Sequence, residues 1–91
     1  MLYTLSVARR IDYSRDALRT LQRIDRATGE RIVLKVEQLA ERPESLANKV
    51  RALKGPGGLK RLRVGDWRVI YTEKLVVIAV ERIAPRSSTY D

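Results

Sequence analysis

The apolar positions change their period along the chain, and each change marks an element. Leu5 and Val7, then Ile11 and Tyr13, fall on alternate positions interrupted by Arg9 and Arg10. Period two predicts a first strand, strongest over residues 8–13. Ser14 suits an N-cap, and Ala17, Leu18, Leu21 and Ile24 follow at helical spacing, so a short amphipathic helix is expected over residues 15–24. Asp25 can cap a second helix whose stripe is Ile32, Val33, Val36, Leu39 and Ala40, and which Pro43 ends near Glu41. Gly29 weakens its first turns by up to ~1 kcal/mol relative to alanine. Two helices joined with almost no loop imply an antiparallel helical hairpin.

Residues 42–58 form a connector with Pro43, Pro56, Gly55, Gly57 and Gly58, within which residues 46–53 suit either a helical turn or an extended segment. Next comes the most informative stretch, Lys60-Arg61-Leu62-Arg63-Val64-Gly65-Asp66-Trp67-Arg68-Val69-Ile70-Tyr71. A two-residue loop at Gly65-Asp66 makes it a β-hairpin pairing Val64 with Trp67, Arg63 with Arg68, Leu62 with Val69, Arg61 with Ile70 and Lys60 with Tyr71. Side chains alternate faces along a strand, so Arg61, Arg63 and Arg68 share one face, while Leu62, Val64, Trp67, Val69 and Tyr71 share the other. A turn is expected at residues 72–74. The run Leu75-Val76-Val77-Ile78-Ala79-Val80 lacks alternation, which reads as a strand buried on both faces at the centre of the sheet, its free edge covered by the first strand. The whole is an α+β fold: an N-terminal strand, a helical hairpin and a three-stranded meander, giving a four-stranded, mostly antiparallel sheet with the helices on one face.

With 91 residues the chain suits one domain with a single core. Its formal net charge of +8 points toward a polyanion: nucleic acid, a ribosome surface or an acidic protein. The chain contains neither cysteine nor histidine, so thiolate chemistry and the usual neutral-pH base are excluded, and no metal or cofactor is expected. No apolar run approaches the roughly 20 residues of a membrane helix, and the first ten residues do not read as a signal peptide; a cytoplasmic protein with no membrane partner is expected.

Strands with one solvated face often carry charge there for solubility, and the hairpin arginines admit that reading. Against it, Arg63 and Arg68 face each other, and opposed like charges are destabilising unless an anion lies between them. Residues 81–91 are polar and read as a fraying terminus, yet an exit from the last strand would bring Arg82, Arg86 and Tyr90 toward the same face.

The chain resembles the RelE/ParE superfamily of type II toxin-antitoxin toxins. The likeness rests on Leu53-Lys54-Gly55, on the hairpin Arg61-Leu62-Arg63-Val64-Gly65-Asp66-Trp67-Arg68-Val69-Ile70-Tyr71, and on Arg82-Ile83-Ala84-Pro85-Arg86-Ser87-Ser88-Thr89-Tyr90. It implies a helical hairpin on an antiparallel-rich sheet. It also implies one of two activities: ribosome-dependent cleavage of messenger RNA, as in RelE-like members, or inhibition of DNA gyrase, as in ParE-like members. A degenerate toxin that only binds its antitoxin is a third reading. Under the first two, the partner is a cognate antitoxin, acidic and partly disordered, that folds on the toxin in a hetero-oligomer.

In the RNase reading the resemblance makes Arg68 the arginine on the scissile phosphate, with Arg86 or Arg63 assisting. It places Arg61 near the leaving group and Tyr90 as the terminal tyrosine that serves as base or stacks on a nucleobase. Lys54, Lys60, Arg63 and Arg82 complete an RNA-binding set, Lys54 reading as a backbone-contact or structural residue. Pro85 stands where many relatives have histidine, and Leu59 where some have a second lysine. Lys60, its neighbour, points to the opposite face by alternation unless a bulge redirects it.

Overall fold

A computed structural model describes residues 9–86. The element order is β1 (Arg10–Tyr13), α1 (Arg15–Arg23), α2 (Arg26–Glu41), a 3₁₀ segment (Pro43–Lys49), β2 (Val50–Ala52), β3 (Lys60–Val64), β4 (Trp67–Glu73) and β5 (Val77–Pro85). The helices begin where their caps dictate. Ser14 Oγ accepts from Ala17 N–H at 3.0 Å, and the Asp25 carboxylate accepts from Thr28 N–H at 3.0 Å. The α+β architecture agrees with the sequence reading, but the sheet has five strands in the order β1-β5-β4-β3-β2. β1 runs parallel to β5, and every other pairing is antiparallel.

The additional strand comes from the connector, which is both things the sequence allowed: a 3₁₀ segment starting at Pro43, then three extended residues that add β2 to the edge of β3. The hairpin register is the expected one from Val64 opposite Trp67 to Lys60 opposite Tyr71. Gly65 adopts φ +58° at the first loop position, where a non-glycine residue would be strained. A Cβ on Gly65 would also approach the Arg31 guanidinium to 3.2 Å, so α2 packs its arginine on the turn.

Two expectations about the last strand need correction. The middle strand is β4, not the apolar run, and Leu75 and Val76 are 89% and 61% exposed in the β4–β5 connection. The ladder extends through Thr72 opposite Ala79 and Glu73 opposite Ile78, which moves the turn to residues 74–76. In addition, the polar-looking stretch after Val80 continues β5 to Pro85, burying Ile83 and Ala84. Burying Val69 against Ile83 fixes that register and outweighs the polarity of Glu81 and Arg82.

The core lies between one sheet face and the helices. Ala17 of α1, Ile32, Val36, Leu39 and Ala40 of α2 and Leu46 of the 3₁₀ segment meet Leu62, Val64, Val69, Tyr71, Ile78, Val80 and Ile83. No helix among the described residues is long and apolar enough to cross a membrane. At the rim of this core Glu73 is clamped by Arg9 Nη1 and by Lys60 Nζ, each at 2.7 Å. The Lys60 hydrogen bond, helped by the Lys60 and Arg9 charges, holds the Glu73 carboxyl below its ordinary value of 4.5 against the opposing effect of burial.

Two predictions follow from this packing. Because the folded-state pKa of Glu73 is depressed, the clamp's contribution is complete above the ordinary value and is lost as pH falls through the lower folded value. Denaturant titrations of wild type and Glu73→Gln should therefore converge on acidification; parallel stability curves would refute the assignment. Gly29 sits in α2, and an added Cβ would lie 3.6 Å from the Leu21 carbonyl oxygen, an ordinary contact. Gly29→Ala should raise stability by about 0.5–1 kcal/mol in chemical denaturation, and a loss would show that the two helices need closer approach there.

Candidate nucleic-acid interface

With helices on one side only, the opposite sheet face carries the residues that alternation directs away from the core. Cross-strand pairs share a face, so the register defines two rows running across the strands. One is Arg51 (β2), Arg61 (β3), Ile70 (β4) and Arg82 (β5); the other is Arg63 (β3), Arg68 (β4) and Ala84 (β5). Adjacent residues within a row are about 5 Å apart. Arg51, Arg63 and Arg82 are exposed, while Arg61 and Arg68 are half-buried. Arg61 Nε and Arg68 Nε and Nη1 are shielded from solvent. Ile70 and Ala84, although facing away from the main core, are 1% and 4% exposed and form an apolar floor beside the arginine stems.

Arg82 reaches this face through an irregularity. Ile70 pairs with Arg82 and Tyr71 with Val80, so Glu81 is an extra residue in β5, a β-bulge. Strict alternation from Val80, which is in the core, would turn Arg82 into the core and Ile83 out. The bulge reverses this. It is held by Ser14, whose N–H donates to Val80 O at 2.8 Å and whose Oγ donates to Glu81 O at 2.6 Å while capping α1.

The remaining residues of the sequence-derived set fall in different places. Arg86 follows β5, its N–H donating to Asp66 O at 2.6 Å, so it is fixed at the hairpin-turn end of the Arg63–Arg68–Ala84 row. Tyr90 lies outside the described residues. Lys54 is exposed in the loop between β2 and β3, closed by Leu53 N–H on Leu59 O at 2.9 Å, and belongs to neither row. Lys60 points the other way. The β3–β4 ladder is regular, so no bulge redirects it, and its ammonium is engaged by Glu73 on the helix side. Arg51 was not singled out in the sequence; its one signal was membership of a segment whose extended conformation could not be told from a helical turn.

The chemistry available is anion binding. Guanidinium forks match phosphate geometry, and partial burial of Arg61 and Arg68 strengthens their field at the surface. Tyr13 and Tyr71 do not serve as bases here: burial, with Glu37 and Glu73 respectively adding to it, pushes both phenols up to about 12 on the helix side of the sheet. Among the described residues no group of acidic side chains is arranged to hold a metal ion.

Residues 11–90 match the family model of the ParE toxin of type II toxin-antitoxin systems, parDE. The chain belongs to this family. Its fold is similar to that in the crystal structure of the archaeal RelE–RelB complex from Pyrococcus horikoshii, with 27% identity, a TM-score of 0.75, and 91% of this chain and 100% of that one covered. It is also similar to the free E. coli toxin RelE in a mutant form (21% identity, TM-score 0.72, 91% and 88% covered). A third likeness is to the YoeB dimer from Staphylococcus aureus (19% identity, TM-score 0.69, 86% and 97% covered). No curated protein sequence matches significantly. The family match begins within β1 and runs past β5, so it spans every strand of the toxin's arginine face.

If Ser14 holds the bulge, Ser14→Ala should cost about 1–2 kcal/mol and, in amide exchange, deprotect residues 80–82 of β5 beyond the first turn of α1. Deprotection confined to α1 would make the serine a helix cap alone.

Proposed function

We propose that this toxin is an endoribonuclease that cuts messenger RNA on the ribosome by attack of a ribose 2′-OH on the adjacent phosphate. The observation that carries the reading is the opposed pair Arg63–Arg68, flanked by Arg61 and Arg86, on a sheet face left free by the helices. In the reaction the 2′-oxygen loses its proton and bonds to phosphorus while the bond to the 5′-oxygen breaks, and the departing 5′-oxygen takes a proton from water, giving a 2′,3′-cyclic phosphate and a 5′-hydroxyl. Arg68, with Arg63 or Arg86, holds the non-bridging oxygens as negative charge grows on them. Arg61 stabilises the departing 5′-oxygen by charge, since a guanidinium with pKa above about 12 is a poor proton donor. Tyr90, the terminal tyrosine of the resemblance, takes the 2′-OH proton or else stacks on a base. Such a site has little acid–base power, so its rate depends on a message already bent toward in-line geometry, which the ribosome supplies. The partner that silences it is an acidic antitoxin, in keeping with the RelE–RelB complex among the similar structures.

The family match itself favours a second reading, a ParE-like toxin that inhibits DNA gyrase through protein contacts.

The two separate in one experiment. Purified protein on ribosomes programmed with a defined message should cut in the A site and leave free RNA nearly intact. Arg68→Ala should lower the cleavage rate by at least about 100-fold, and Tyr90→Phe should lower it if the phenol is the base. An intact message from folded protein that is still toxic in cells would sink the RNase reading and favour gyrase.

A further inference from the structure

Leu34, on the outward side of α2, is 64% exposed, and a lone exposed leucine on a helix is ordinary. What sets this one apart is the surface beside it. α1 and α2 leave between them a groove of about 530 Å³ whose floor is Leu21, Gly29 and Val33. Gly29, without a side chain, keeps that floor low. Leu34 stands at the groove's outer wall, so an apolar knob and an apolar hole lie side by side on one helical face.

The charges around the groove narrow the choice of occupant. In a chain of net charge +8, this groove is lined by Arg26, Glu30 and Glu37, two carboxylates to one guanidinium. Such a rim repels an acidic segment. Arg26 and Glu30 are 3.4 Å apart and largely exposed, a geometry that contributes little. Glu37 is exposed and makes no ion pair among the described residues. The occupant that fits therefore brings an apolar side chain for the floor and a cation for Glu37.

A second α2 brings both. Laid antiparallel with Leu34 opposite the second copy's Gly29, it places Arg26 opposite the second copy's Glu37, because Arg26 precedes Gly29 by the same three residues that separate Leu34 from Glu37. A two-fold axis repeats each contact, so the face is complementary to itself.

We propose that the α1–α2 groove is the contact surface of a homodimer, in which each Leu34 seats over the other copy's Gly29 between two Arg26–Glu37 pairs. The joint lies on the side of the helices away from the sheet, so both arginine faces stay open. A helix of 16 residues, about 24 Å long, offers less area than a standard interface, and the dimer is weak, with a Kd on the order of 10 μM. This proposal does not depend on the RNase reading.

The test is sedimentation velocity of the full chain from about 1 to about 200 μM, across which the wild type should pass from monomer to dimer. Leu34→Gln should weaken association at least about 10-fold. Its melting temperature, read where the wild type is monomeric, should be unchanged, because an exposed leucine supports nothing within the monomer. Arg26→Glu and Glu37→Arg should each weaken the dimer about 3- to 10-fold, and the double variant, which exchanges the two charges, should recover most of the loss. A chain that stays monomeric at about 200 μM would overturn the proposal and leave the groove to a different protein. A dimer indifferent to Leu34→Gln would overturn it by placing the joint on another face. Failure of the double variant to recover, with Leu34→Gln monomeric, would overturn the antiparallel register.

Discussion

One extra residue in β5 determines which way the end of the sheet faces. Up to Val80 the strand alternates in step with β4; beyond Glu81 it is out of step by one, so Ile83 returns to the core and Arg82 emerges on the opposite side beside Ile70. The same shift carries the strand on to Arg86, which the hairpin turn then fixes through Asp66. An unpaired residue inside a ladder needs other partners for its backbone. Ser14 supplies one, joining the start of α1 to the bulge with a single hydroxyl that both donates and accepts. The helical layer and the arginine face are therefore coupled at one point.

The rest of the design is a division of charge between the two faces. On the helix side Arg9 and Lys60 converge on Glu73, which is kept ionised by them. Such a pair of contacts closes the rim of the core. On the other side the arginines of β2, β3 and β4 face one another across the ladder with no acid at a paired position. Arg51, Arg63 and Arg82 are exposed, while Arg61 and Arg68 draw part of their guanidiniums out of solvent beside Ile70 and Ala84.

In the proposed activity, a domain without histidine or cysteine relies on this arrangement to hold a phosphodiester. Its strength lies in fixed positive charge on a rigid sheet, and it lacks a strong proton donor or acceptor among the described residues. Chemistry of that kind needs a substrate brought in the right shape, which links the proposed activity to a larger assembly and leaves the same face open to an acidic inhibitor.

Much of this was legible in the chain. The hairpin register followed from Gly65-Asp66 between two alternating runs, and with it the sharing of one face by Arg61, Arg63 and Arg68, because a two-residue loop leaves little freedom in pairing. Ser14 and Asp25 marked the helix starts through local hydrogen bonds, and alternation alone placed Lys60 away from the arginines. What the chain could not disclose is non-local. Leu75 and Val76 look like core but are exposed, because the ladder partners of Thr72 and Glu73 lie further along. Whether residues 50–52 form a strand depends on an open edge at β3, and so Arg51 stayed hidden. The bulge at Glu81 exists because Val80 and Ile83 must both reach one core from positions an odd number apart. That requirement arises only when β5 is laid against β4, where burial of distant partners outweighs the preference of any local segment.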